Sequence, residues 1–268
     1  MAKIVITDKH ILVIAFAISI LSLLLGMFNT YQVYSIASSI SIYNSLSTIN
    51  LPFLSVLNPV YGNSSSILIF EYLDYLCPYC AKFEVETFQK LKEKYIDRGK
   101  VSYVVKNFIV HGQDAVNLAL YASCIYSNNG PSEYQDFKEK IYRALYDSIF
   151  VKRNYTEFQS SLESILSGYN IEGCLNNSSF VNLTMRVLSI DTNEAMVYNL
   201  EGTPGFLILI RKDLLPEEKL REVKKLLDSY KSRGMSYSMW LSSDRNYVVI
   251  SFAGAMSFDF FDKFLSVI

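Results

Sequence analysis

The chain has 268 residues, a formal net charge of −1 and 50% hydrophobic residues. That length fits one large domain or two small ones. A near-zero charge with no extended basic block excludes nucleic acid as a natural partner. So apolar a composition suits a packed core only if one apolar stretch is set apart from it.

That stretch is 11–28, which carries no charged residue and is long enough for a short transmembrane helix. Lys3 and Lys9 precede it, and no further Lys or Arg occurs before Lys82. The positive-inside bias places 1–10 in the cytoplasm, 11–28 across the cell membrane as a single-pass signal-anchor, and the rest outside. A cleaved signal peptide is the alternative. Ser35-Ile36-Ala37 fits the small-x-small cleavage pattern but lies well beyond the apolar run, which favours the uncleaved anchor. An extracytoplasmic location suits the four cysteines, because disulfides persist there. It also suits glycosylation acceptor sequons beginning at Asn63, Asn154, Asn176, Asn177 and Asn182.

Residues 29–66 contain no Lys, Arg, Asp or Glu and are rich in Ser, Asn and Tyr. They read as a tether with a short strand near 53–57. The run 67–73 is almost continuously apolar, as a central buried strand is. Helix 82–96 follows, with Ala81, Val85, Phe88, Leu91 and Tyr95 on one face and Lys and Glu on the other. Between them stands Cys77-Pro78-Tyr79-Cys80. At a strand-to-helix junction the first sulfur sits at a helix N-terminus, where unpaired N–H groups and the dipole stabilise a thiolate. The second lies one turn inside, close enough for a disulfide, and Pro78 falls where a missing N–H costs nothing. This is the geometry of thiol–disulfide exchange. Half of a zinc site and a static disulfide are the other readings. Zinc is disfavoured because Cys124 and Cys174 form no second knuckle and the two histidines, His10 and His111, are far apart. The redox reading needs no metal and no cofactor.

The run 101–105 is a second strand, so strand, helix and strand form a right-handed parallel βαβ unit over 67–111. From 112 to 201 the pattern is helical, with candidate helices at 114–127, 132–148, 156–167 and 179–200. Asn128-Asn129-Gly130-Pro131 breaks the first two. Strand signals return at 206–210. An amphipathic helix follows at 216–233, within an insert at about 213–235. A hairpin of 237–241 with 247–252 and a closing helix at 257–267 complete a second half over 202–268. The sum is an α/β, thioredoxin-like fold carrying an inserted all-helical subdomain. Gly202-Thr203-Pro204-Gly205 precedes the 206–210 strand, where a proline can be an ordinary turn residue.

Taken together, the chain resembles the DsbA-like disulfide oxidoreductases of the thioredoxin superfamily. The resemblance rests on Phe70-Glu71-Tyr72-Leu73-Asp74-Tyr75-Leu76 with Cys77-Pro78-Tyr79-Cys80, on Lys106-Asn107-Phe108, on Ala122-Ser123-Cys124 and Cys174-Leu175, and on Glu201-Gly202-Thr203-Pro204. It covers about 56–268, interrupted near 212–235. Glutaredoxins share Cys-Pro-Tyr-Cys but lack the helical insertion. The resemblance implies an extracytoplasmic dithiol oxidase that acts on thiols of exported proteins and is recharged by a membrane quinone-linked thiol oxidase. An isomerase or reductase, and a non-catalytic binding module or chaperone, are the rival readings. Cys77 becomes the nucleophile and Cys80 the resolving partner. A cis Thr203–Pro204 bond is expected to lie against Cys77, offering the Thr203 backbone to substrate and keeping metal ions from the thiols. Tyr79 stands where the strongest oxidants carry His, which implies a weaker oxidant. Potentials in the superfamily span about 150 mV, or roughly 7 kcal/mol. Glu71 matches an acidic residue that takes protons from the resolving cysteine, if it is buried and not an edge-strand Glu in water. Asp74 reads as a turn or capping residue and His111 as structural. Cys124 and Cys174 match a structural disulfide, whose loop of about fifty residues is credited with roughly 4 kcal/mol.

Overall fold

The computed structural model describes residues 42–268, so the apolar run 11–28 and the anchor assigned to it lie outside the described residues. Among the described residues no helix is long and apolar enough to cross a membrane. The chain divides into two units, Met1–Ser45 and Leu46–Ile268. The described part of the first is one 3-10 turn, Ile42–Ser45.

The second unit is built on one seven-stranded sheet. Its strands are β1 (Thr48–Ile49), β2 (Val60–Tyr61), β3 (Ile67–Leu73), β4 (Ser102–Asn107), β5 (Gly205–Arg211), β6 (Tyr237–Ser242) and β7 (Tyr247–Ala253). They run in the order β1-β6-β7-β5-β3-β4-β2. The apolar runs Ile67-Leu68-Ile69-Phe70 and Phe206-Leu207-Ile208-Leu209-Ile210 occupy the centre, where both faces of a strand are covered. β3 pairs in parallel with β4 and antiparallel with β5.

Helix α1 spans 78–96 as the α-turn Pro78–Phe83, a π-turn Glu84–Phe88, the turn Gln89–Leu91 and a second π-turn Lys92–Ile96. A π-turn holds more residues than an α-turn and so rotates the buried face. Glu84 and Thr87 are therefore buried, while Val85, assigned from periodicity to the apolar face, is only half-buried. Between β4 and β5 lies the helical insertion. It comprises α2 (Gly112–Tyr146), α3 (Tyr155–Leu166), the short α4 (Glu172–Leu175) and α5 (Ser178–Val197). Gly130, with φ +81° ahead of Pro131, breaks α2 into two arms as the sequence predicts. Helices α6 (Glu217–Lys231) and α7 (Phe258–Val267) follow β5 and β7. The thioredoxin-like α/β fold with a helical insertion is thus the observed architecture.

Two cores sandwich the sheet. On one face, Phe83 of α1 meets Phe206 at 4.8 Å, and Phe261 of α7 packs on Phe206 at 5.2 Å. On the other, Ala195, Tyr198 and Leu200 at the end of α5 cover Phe70, Tyr72, Val104 and Leu207. This second core holds a buried charge cluster. Lys106 Nζ, fully buried, donates to Asp191 at 2.9 Å, to Glu194 at 2.5 Å and to the Phe53 carbonyl at 2.6 Å. Glu194 in turn accepts the Phe53 N–H. That cluster explains why 53–57 is not the strand expected from its sequence. The Phe53 backbone is held by charged side chains instead of a ladder, and Phe53, Leu54 and Val56 point outward. The strands flanking it are the two-residue β1 and β2.

Burial raises the Asp191 carboxyl above its usual range, and Lys106 opposes that rise. Lys106→Met is expected to cost about 3–5 kcal/mol of unfolding free energy at neutral pH, because it strands buried carboxylates. The loss should shrink as the pH is lowered and Asp191, its carboxyl raised by burial, takes up a proton in the folded state, and urea titrations at neutral and acid pH measure both.

Candidate redox site

β3 stops at Leu73, and Asp74-Tyr75-Leu76 turn the chain into α1. The buried Asp74 carboxylate holds that turn. It accepts the N–H of Leu76 at 2.8 Å, of Val110 at 2.7 Å and of His111 at 2.9 Å, with His111 Nδ1 at 3.0 Å. Its backbone carbonyl accepts the Cys77 N–H at 3.0 Å and the Tyr142 hydroxyl at 3.1 Å. The Tyr75 ring stacks on Tyr142, and its hydroxyl meets that of Tyr134 at 2.7 Å. The helical insertion thus clamps the turn that carries the thiols.

Cys77 is the N-cap of α1, with extended backbone (φ −77°, ψ 118°) and Pro78 behind it. Its thiol is driven down to about 6. The main cause is a hydrogen bond from the Cys80 side chain, aided by the Thr203 side chain and the backbone N–H groups of Cys80 and Tyr79, against the opposing effect of burial. Cys80 moves the other way, well above the usual thiol range. Burial is the chief cause, followed by its bond to Cys77 and the charges of Cys77 and Glu71. Cys77 is less open than an exposed nucleophile would be, at 4% exposure against 0% for Cys80, because the loop before β5 covers it. Its Sγ lies 3.2 Å from the Thr203 carbonyl, to which the thiol donates.

The Thr203–Pro204 peptide is cis. The Pro204 carbonyl is taken up by the Gly254 N–H at 2.8 Å, which fixes the loop to the end of β7. Gly205 packs closely there, since a Cβ would stand 2.9 Å from Leu200 Cδ1 and 3.1 Å from the Gly202 carbonyl. Tyr79, 59% exposed, and Lys82 face Thr203, Gly254 and Ala255 across an open groove of about 410 Å³.

Beneath the thiols, Glu71 is fully buried on β3, not at an edge in water. Its carboxyl is pushed up to about 7. Burial dominates, Glu84 and Cys77 add to it, and Lys138 and a hydrogen bond from Tyr103 oppose it. Tyr103 donates to Glu71 Oε2 at 2.9 Å, and Lys138 Nζ lies 3.8 Å from that oxygen and 3.0 Å from Glu84 Oε2. Cys124 on α2 and Cys174 on α4 are joined as a disulfide, with Cα atoms 6.0 Å apart. The structure therefore gathers Glu71, Cys77, Pro78, Tyr79, Cys80, Thr203 and Pro204 into one site, with the Cys124–Cys174 pair apart in the insertion.

Sequence reasoning missed Tyr103, Glu84 and Lys138. Lys138 had a signal, lying four residues from both Tyr134 and Tyr142 on the buried stripe of α2. Glu84 stands likewise between Cys80 and Phe88, and the π-turn concealed which face it takes. All five sequon asparagines are exposed, and Asn177 Oδ1 caps α5 by accepting the N–H groups of Ser179 and Phe180. Among the described residues no cluster of His, Cys, Asp or Glu is arranged to hold a metal ion.

The family model described as Thioredoxin matches residues 55–228, more than half of the chain. A Rickettsia conorii protein, provisionally named a protein-disulfide oxidoreductase, is 30% identical over 153 residues, covering 56% of this chain and 52% of that one. Disulfide bond formation protein D of Bacillus subtilis is 31% identical over 85 residues, covering 31% of this chain and 38% of that one. The crystal structure of Wolbachia pipientis alpha-DsbA1 superposes with a TM-score of 0.53 at 19% identity, over 81% of this chain and 92% of that one, which is a likeness of fold. The chain belongs to the thioredoxin family. It spans about half the length of the Rickettsia conorii and Rickettsia typhi relatives it matches.

With a midpoint near 6, Cys77 is expected to be about 90% thiolate at pH 7 in the reduced chain. Iodoacetamide labelling rates across pH, read at Cys77 by mass spectrometry, test this. Cys80→Ala should raise the midpoint, since the Cys80 thiol is the largest stabiliser of the Cys77 thiolate. An unchanged midpoint in that variant would refute the assignment.

Proposed function

We propose that the chain is a thiol–disulfide oxidoreductase that acts as a dithiol oxidase on exported proteins, through Cys77 and Cys80. The carrying observation is the split between the two thiols, one acidic at a helix N-terminus and one buried and held protonated. The names of the relatives support the reaction class. In the oxidised form a substrate thiolate attacks Cys77 Sγ. The Cys77–Cys80 bond breaks, and Cys80 leaves as a thiolate and takes a proton from Glu71. A second substrate thiolate then attacks the substrate sulfur of the mixed disulfide, and Cys77 leaves as its stable thiolate. Two electrons pass from the substrate dithiol to the enzyme. In the groove between Tyr79 and Gly254, the Thr203 backbone and the side chains flanking it would bind an extended substrate segment. Residues 11–28 would anchor the chain with this unit outside the cell membrane, and a quinone-linked thiol oxidase in that membrane would restore the disulfide.

Stabilising the Cys77 thiolate stabilises the reduced form and so favours oxidation of substrates. The stabilisation is absent below pH 6 and grows above it. The potential of the couple should fall by about 59 mV per pH unit below pH 6 and about 30 mV above it, because one of the two protons is then no longer taken up. Equilibration with glutathione buffers across pH measures the break.

Cys77→Ser should abolish oxidation of a dithiol peptide, whereas Cys80→Ser, mixed with a disulfide-bonded peptide, should accumulate a mixed disulfide at Cys77, since the Cys77 thiolate displaces one peptide sulfur and no Cys80 thiol is left to attack the new bond. Turnover by Cys77→Ser, or a Cys80→Ser protein that forms no such mixed disulfide, would overturn the assignment of roles and leave the fold as a scaffold.

A further inference from the structure

The helical insertion does more than enclose the site. Its second α2 arm sends Lys138 into the space between Glu84 and Glu71, where the side chain is fully buried. Burying an ammonium costs several kcal/mol unless its surroundings compensate. The compensation is Glu84 at 3.0 Å, Glu71 at 3.8 Å and the face of the Phe88 ring at 4.0 Å. Neither Lys138 Nζ nor Glu84 Oε2 has an aligned hydrogen-bond partner, and Glu71 Oε1 has none either. The three groups are held by charge and distance, which respond directly to a change of protonation.

One ammonium stands between two carboxyl groups. With both carboxyls ionised the dry site carries a net negative charge, and with one proton it is neutral. Geometry decides where that proton rests. Glu84 has the closer approach to Lys138, and its Oε1 accepts from Gln135 at 2.7 Å. Glu71 has the longer approach and an open oxygen. The other groups that act on Glu71 are Tyr103 on β4, Cys77 and Cys80 on α1, and the phenols of Tyr61, Tyr75, Tyr134 and Tyr142. Burial makes these phenols and that of Tyr103 much weaker acids than usual, so they stay neutral.

We infer that Lys138 and Glu84 are a positioning pair that assigns the one exchangeable proton of this site to Glu71 and sets how readily it passes to and from Cys80. This rests on Glu71 acting as the proton donor and acceptor proposed above. When the Cys77–Cys80 bond breaks, Cys80 keeps the electron pair and the Glu71 proton moves to its Sγ. Glu71 is left as a carboxylate facing Lys138. Resolution of a mixed disulfide runs the same transfer backwards, with Glu71 taking the Cys80 proton as Cys80 attacks Cys77 Sγ.

The test uses the full chain carrying a small thiol in mixed disulfide with Cys77. The release rate by Cys80 is followed across pH. The wild-type rate should rise with a midpoint near 7. Lys138→Met removes the positive charge and should move the midpoint up by about one unit, slowing release about tenfold at a fixed pH below it. Glu84→Gln removes a negative charge at nearly constant shape and should move the midpoint down by a similar amount. Lys138→Arg should restore the wild-type profile. Opposite shifts support the inference, because loosened packing would not reverse sign between two neighbours. Unmoved midpoints, or shifts of the same sign, overturn it. Should Lys138→Met fail to fold, Glu84→Gln decides alone, a downward shift supporting the inference and none overturning it. Glu71→Gln separates the two levels. If it keeps the wild-type midpoint, the base assignment itself falls. If it loses the midpoint while the Lys138 and Glu84 variants stay unmoved, only the present inference falls.

Discussion

The Asp74 carboxylate fixes where β3 ends and therefore where the thiols stand. Three backbone N–H groups converge on it, one from its own turn and two from the segment that opens the helical insertion. A buried carboxylate satisfied this way resists displacement, since each bond lost would leave a polar group without water. The insertion cannot shift relative to β3 without breaking that knot. Tyr134 and Tyr142, from the same insertion, grip the next residue. The Cys77 N–H is then delivered to the Asp74 carbonyl, and α1 begins with its first N–H groups pointing at sulfur.

From that fixed start, two identical side chains three positions apart acquire opposite chemistry. Cys77 sits where N–H groups converge, and Cys80 sits one turn inside, among aromatic rings and beside a carboxyl group. The difference comes from position along one helical turn and from what lies behind it. Water reaches neither sulfur freely. Electrostatic effects are correspondingly stronger than at a surface, which is why a carboxyl as remote from solvent as Glu71 bears on the pair.

Much of this was legible in the chain. Cys77-Pro78-Tyr79-Cys80 lies between an apolar strand and an amphipathic helix, and Gly202-Thr203-Pro204-Gly205 precedes a second apolar strand, so local pattern and tertiary partner pointed the same way. The Cys124–Cys174 pairing was legible through family likeness and not through spacing. Glu84, Lys138 and Tyr103 were hidden because each belongs to an element that periodicity reads correctly as a whole. Which of its residues meet a neighbour is decided by helix rotation, and two π-turns altered that rotation in α1. The segment 53–57 misled because apolar residues without charges resemble a strand. The backbone of Phe53 is held by Lys106 and Glu194, far away in sequence, and that of Ser55 turns onto Asn58.

Those partners bear on how the unit withstands mechanical load. A pull entering at residue 46 first meets β1, a pairing of two residues with β6 through the Leu241 N–H to the Ser47 carbonyl and the Ser243 N–H to the Ile49 carbonyl. Such a short pairing yields easily. The next hold is Phe53, whose N–H and C=O are both gripped by ionised side chains rooted in β4 and α5. Bonds to charged groups in a dry setting are the stronger kind. Lys106 points to the face of the sheet covered by α5, whereas α1 covers the other. Tension in the leading segment is therefore absorbed on the side away from the sulfurs, and the redox turn does not carry it.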